Sequence, residues 1–111
     1  MANDRDLLFD ILVAARRISD FVAGYEYDGF LRDERTRWAV ESQFIVIGEA
    51  ARNVSDEFRN SHPEVPWREM IGMRNRIAHG YTSIDWQIVW QTSVERVPFL
   101  AAHIETLIGR P

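Results

Sequence analysis

Between Arg74 and Tyr81 the chain reads Arg-Asn-Arg-Ile-Ala-His-Gly-Tyr, and this run holds the side chains best suited to chemistry. Arg74 offers a fixed fork of donors to a phosphate, and His79 can take or give a proton near neutral pH. Asn75 places an amide beside them. Together the three could bind an anion and move a proton. Neither act requires a metal.

The element that must position them begins near Pro66. Proline suits the first turn of a helix and Gly80 its end, so the spacing predicts one helix over about 66–79. On a 3.6-residue repeat Trp67, Met70, Ile71, Arg74, Ile77, Ala78 and Tyr81 share the stripe that would face a core, with Arg74 breaking it by a charge. Arg68, Gly72, Asn75 and His79 form a second line beside it. A mid-helix glycine costs roughly 1 kcal/mol relative to alanine. Gly72 is therefore expected where another backbone or a ligand comes close, with Arg74, Asn75 and His79 around the gap.

Arg74 and His79 stand about 140° apart around an ideal helix and about 7.5 Å along it. One helix would clasp a small anion poorly with these two alone. Two copies facing across a twofold axis would bring two Arg and two His to one cleft, so a homodimer across this helix is predicted. The same residues also fit a purely structural part. Histidine is favoured at a helix C-terminus, Gly80 is an ordinary terminating residue, and Tyr81 could pack back on the last turn. Periodicity does not choose between the two.

A resemblance does. Arg74-Asn-x-x-x-His79-x-Tyr81 resembles the Arg-x4-His-x-Tyr signature of the HepT-like toxins, a branch of the HEPN superfamily of small all-helical proteins. The likeness extends to Ile47-Gly-Glu-Ala50, to His62-Pro-Glu-Val-Pro-Trp67 and to the apolar run after Tyr81, so it spans nearly the whole chain. It implies a HEPN-like helical bundle that dimerises across the motif helix. It also implies a metal-independent ribonuclease toxin of a type II toxin–antitoxin system, paired with a minimal nucleotidyltransferase (MNT) antitoxin. Under it Arg74 would bind the scissile phosphate, His79 would be the general acid or base, and Asn75 would orient it. Tyr81 would be the residue the partner modifies with AMP, silencing the toxin. The alternative is a catalytically silent helical module that binds a nucleotide or seals a complex with the partner.

Composition bounds these readings. With 111 residues, residues 1–111 are expected to form one domain, and 46% hydrophobic content supplies a packed core. Cysteine is absent, which excludes disulfides, thiolate metal sites and thiol nucleophiles. The first residues lack the pattern of a secretory leader, and the longest uncharged apolar run, Ser42 to Gly48, is far too short to span a bilayer. A cytoplasmic protein without membrane partners is expected. The formal charge of −4 excludes a polybasic nucleic-acid binder, so any RNA contact must be local. Every basic residue is Arg.

Taken in order, the chain predicts four to five helices and no strand. The first runs over about 4–21 with Leu7, Ile11, Ala14, Ile18 and Phe21 on one face, and Gly24 to Gly29 reads as a turn. The second runs over about 33–58 with Val40, Phe44, Ile47, Ala51, Val54 and Phe58 in phase, and Gly48 marks a helix crossing. Glu49 is a carboxylate in an apolar stretch and needs a partner, for which Arg74 or Arg52 is the candidate. Beyond Tyr81, Thr82 to Asp85 can cap a further helix that Pro98 ends or kinks, before a last one over about 98–108. His62 and His103 read as capping or packing residues. The scattered histidines predict no metal site, and no Gly-rich phosphate loop points to a cofactor.

Overall fold

The computed structural model describes residues 3–80 and 83–109, and every described element is helical. Helix α1 (Asp4–Val22) starts where the Asn3 side chain accepts from the Asp6 N–H at 2.9 Å, with Asp4 and Asp6 in the first turn. Its predicted apolar face is buried except at Phe21, which is half-buried. Gly24, at φ 81°, turns the chain in the left-handed region.

The stretch read as a turn then departs from expectation. Tyr27–Arg32 forms a short helix, α2, because Phe30 is fully buried against Trp86 and Trp90, with ring centroids at 6.1 and 5.1 Å. Tertiary packing outweighs the local glycine signal here. The predicted helix over 33–58 is likewise two. Helix α3 (Glu34–Asn53) is capped by Asp33, and α4 (Asp56–Ser61) restarts from Ser55, whose hydroxyl accepts from the Phe58 N–H at 3.1 Å. Asp4 fixes this break by accepting from the Ser55 hydroxyl at 2.7 Å and its N–H at 2.8 Å. Those two bonds, the hydroxyl's first, hold the Asp4 carboxyl below the usual range.

Helix α5 (Trp67–His79) follows the prediction within a residue, with Pro66 just before it. Asp85 caps α6 (Trp86–Gln91), and the helix continues through a π-helical turn, Thr92–Arg96, into α7 (Val97–Ile108). The last helix thus starts within a residue of the predicted 98–108, with Pro98 in its first turn, while the chain ahead of Pro98 stays helical instead of ending. A proline has no N–H for the carbonyl four residues back, and the widened turn ahead of it absorbs that mismatch. Val97 donates to the Thr92 carbonyl there, and fully buried Ser93 gives its hydroxyl to the Val89 carbonyl at 2.7 Å.

One core runs through these elements: α1 packs on α3 and α7, and α5 packs chiefly on α3. The buried stripe of α5 is Trp67, Met70, Met73 and Ile77, so the helix is rolled relative to the predicted face, with Met73 inside and Ala78 exposed. Its cause is Gly48. A β carbon on that residue would stand 2.1 Å from the Arg74 Cβ and 2.9 Å from the Met70 carbonyl oxygen, so the stem of Arg74 fills the place of a side chain. At Gly72, by contrast, a β carbon would meet nothing within 4 Å. The helix crossing expected at Gly48 is there, whereas no backbone comes close at Gly72, which borders open space. No helix among the described residues is long and apolar enough to cross a membrane.

Gly48→Ala should therefore be costly, because only backbone and the Arg74 stem can yield. A loss of about 3 kcal/mol in a urea titration is expected, the upper range for overpacking. A stability within error of the wild type would show that α3 and α5 do not cross this closely.

Candidate functional site

Arg74 emerges from the crossing with its stem pinned against Gly48 and its head directed back at α3. Its Nη2 lies 2.7 Å from Glu49 Oε1, which is the pairing expected for that carboxylate, and Nη1 donates to Asn75 Oδ1 at 3.1 Å. Its Nε is buried and has no partner among the described residues. The guanidinium is thus held by a neighbour on each terminal nitrogen, while its side chain remains 20% exposed and that of Glu49 43%. Such a clamp fixes the fork in one orientation at the surface. A phosphate approaching it gains a preset donor geometry and must displace or share contacts with Glu49.

His79 occupies the last turn of α5 and is exposed. It lines a cavity of about 670 Å³ together with Asn75, Gly80, Ser83 and Ile84. Arg74 does not line that cavity. A single chain therefore does not bring Arg74 and His79 to one point, in keeping with their separation around the helix. Asn75 is the link, since it accepts from Arg74 and borders the space in front of His79. Gly72 lines a neighbouring cavity of about 420 Å³ and belongs to neither contact set. Tyr81 and Thr82 lie outside the described residues.

The other two histidines are accounted for structurally. His62 lies on Phe58 at 4.4 Å between ring centroids, and its Nδ1 is 3.3 Å from Glu64 Oε2. His103 reaches the same oxygen through Nε2 at 3.1 Å, tying α7 to the loop before α5. The Glu64 carboxyl is held below the usual range by its own backbone N–H first and then by His103. Neither the shared acceptor nor this tie is visible in the sequence, because Glu64 and His103 are brought together only by the fold. Among the described residues no three His, Cys, Asp or Glu side chains converge as a metal site requires. Sequence reasoning also passed over Arg76 and Arg96, which flank the cavity beside Gly72. A helical wheel centred on Gly72 would have found Arg76; nothing local could have found Arg96.

Because the Glu49–Arg74 pair is partly exposed, its coupling should be small. A double-mutant cycle of Glu49→Gln and Arg74→Gln in urea is expected to give at most about 1 kcal/mol. A coupling of several kcal/mol would mean the pair is an element of the core instead.

Comparison with known proteins covers nearly the whole chain. The family model described as Ribonuclease HepT-like matches residues 11–107. A Thermococcus cleftensis protein named "Probable ribonuclease HepT" is 38% identical over 105 residues, covering 95% of this chain and 96% of its own. A Methanocaldococcus jannaschii protein is 38% identical over 104 residues, covering 94% and 86% respectively. A Caldanaerobacter subterraneus subsp. tengcongensis protein is 31% identical over 110 residues, covering 99% and 98%. The names of these last two mark them as candidate RNases. No solved structure gives a significant match.

Proposed function

The chain belongs to the Ribonuclease HepT-like family, and from that membership we propose that it is a metal-independent endoribonuclease, the toxin of a type II toxin–antitoxin pair. The observation that carries the reading is the clamped guanidinium of Arg74, with Asn75 joining it to the cavity of His79. In this reading Arg74 binds the scissile phosphate and stabilises the charge that grows on its oxygens. His79 takes the proton of the ribose 2′-OH as it attacks phosphorus, or delivers one to the departing 5′ oxygen. Asn75 orients the reacting groups. The bond from phosphorus to the 5′ oxygen breaks, leaving a 2′,3′-cyclic phosphate and a 5′ hydroxyl.

Since one chain holds the guanidinium and the imidazole on diverging faces, the complete site is assigned to a homodimer. Trp38, 63% exposed, and Val46, 39% exposed, lie on α3, the helix on which α5 packs, and support an interface on that side. The resemblance in the Arg-x4-His-x-Tyr run supports the remaining parts of the proposal: a minimal nucleotidyltransferase antitoxin as partner, and AMP addition to Tyr81 as the silencing step. Esterifying a phenol two residues along the chain from His79 with a bulky anion would add mass and negative charge that offset the charge of Arg74. A second reading, the catalytically silent binding module, draws on one observation: Glu49 already engages Arg74.

Purified protein incubated with RNA in EDTA separates the two. Cleavage that survives chelation and falls by about 10²- to 10⁴-fold in His79→Ala, the usual loss of a general acid or base, is the expected result. Intact RNA would favour the module. Independently, intact mass spectrometry of the protein produced together with a minimal nucleotidyltransferase should show added AMP, lost in Tyr81→Phe. An unchanged mass would remove the silencing step.

A further inference from the structure

The groove between α5 and the C-terminal helix is used by the reading above only at its end, where His79 stands. Two cavities of about 420 and 670 Å³ compose it, and Met73, Arg76 and Ile88 line both. Its α5 wall carries Arg68, Gly72 and Arg76, and Arg96 stands on the facing helix. All three arginines are exposed, and none takes part in an ion pair among the described residues. Of the acids that line the groove, Glu69 and Asp85, the second already caps the N–H groups of Gln87 and Ile88. Three arginines against these two carboxylates leave the channel positive by one formal charge, with His79 at its end, in a chain whose formal charge is −4. A local field of that sign draws an anion to the groove and not to the surface at large.

The floor is apolar, formed by Met73, Val97 and Leu100 among others, and Gly72 leaves the channel open where a side chain would intrude. Arg68 and His79 are about 16 Å apart along the axis of α5, room for a few nucleotides. A chain with charges at intervals and flat apolar faces between them fits this lining. An acidic peptide with apolar side chains shares part of that complement, but the continuity of the channel with His79 favours nucleic acid.

We propose that this groove is the track for a single-stranded RNA flank, whose phosphates engage Arg68, Arg76 and Arg96 and whose bases lie over the apolar floor beside Gly72. The flank thereby delivers the scissile linkage to His79. The proposal rests on the nuclease reading for its direction, while its test does not depend on cleavage.

The probe is a labelled single-stranded oligoribonucleotide with 2′-O-methyl sugars, which lack the attacking hydroxyl and stay intact, followed by fluorescence anisotropy over a range of salt. Each phosphate contact contributes about 0.7 to the slope of log affinity against log salt for single strands. The triple variant Arg68→Gln, Arg76→Gln, Arg96→Gln should lower that slope by about 2, with about a tenfold or greater loss of affinity at low salt. Gly72→Leu places a side chain in open space, so its melting temperature should hold or rise while binding falls about tenfold. Wild-type affinity in both variants, or no binding by the wild type, overturns the proposal. So does unchanged RNA binding with loss of an acidic apolar peptide, which gives the groove to a protein partner. Cleavage with groove-insensitive binding leaves the nuclease reading standing without the track; groove-dependent binding without cleavage leaves the track and removes the nuclease.

Discussion

The crossing of α3 and α5 at Gly48 is the contact on which the rest of the molecule depends. No residue with a side chain fits at that position, because the stem of Arg74 and the carbonyl of Met70 already occupy the space. Once the stem is seated there, the roll of α5 about its own axis is decided. Met70, Met73 and Ile77 turn into the core, the guanidinium emerges beside Glu49, and the line from Arg68 to His79 turns outward. A charged residue is tolerated in the seam because its methylenes do the packing and its head reaches a partner at the edge.

Much of this was legible in the residues themselves. Periodicity located α1, α3 and α5, and the carboxylate in an apolar stretch correctly demanded a cationic partner. What escaped has a common cause. The break at Val54 and Ser55 was masked because apolar residues continue in phase across it; Ser55-Asp-Glu is a helix-start signal by itself, and the bonds from Asp4, at the other end of the chain, are what hold it in place. The short α2 was hidden because Phe30 owes its burial to Trp86 and Trp90, far along the sequence. Interactions between distant segments leave no periodic trace.

Glycine shows the same division in finer detail. Both Gly48 and Gly72 look alike in sequence, each a helix interior position paying for its missing side chain in local stability. The fold gives them opposite surroundings: one is filled by a neighbour to below contact distance, and the other faces empty space. The sequence reading assigns Gly48 a helix crossing, which is found, and Gly72 a close backbone or ligand, of which no backbone is found. Whether a helical glycine answers to a neighbour that is present or a space kept open depends on which face the crossing has turned inward.

The division of α5 into three faces follows from these constraints and shapes what the site can do. One face is core, one carries Arg74 to Glu49, and one carries Asn75 and His79 toward the groove. In this arrangement the helix does not converge its guanidinium and its imidazole on one phosphate, since the Arg74 stem is seated against Gly48 and its head is held by Glu49 and Asn75. On the proposed reading convergence comes from a second surface, and a twofold partner is the least demanding source because it adds the same groups in inverted order. Asn75 is then the residue with the most constrained position, since it accepts from the clamped guanidinium while bordering the cavity where the imidazole stands.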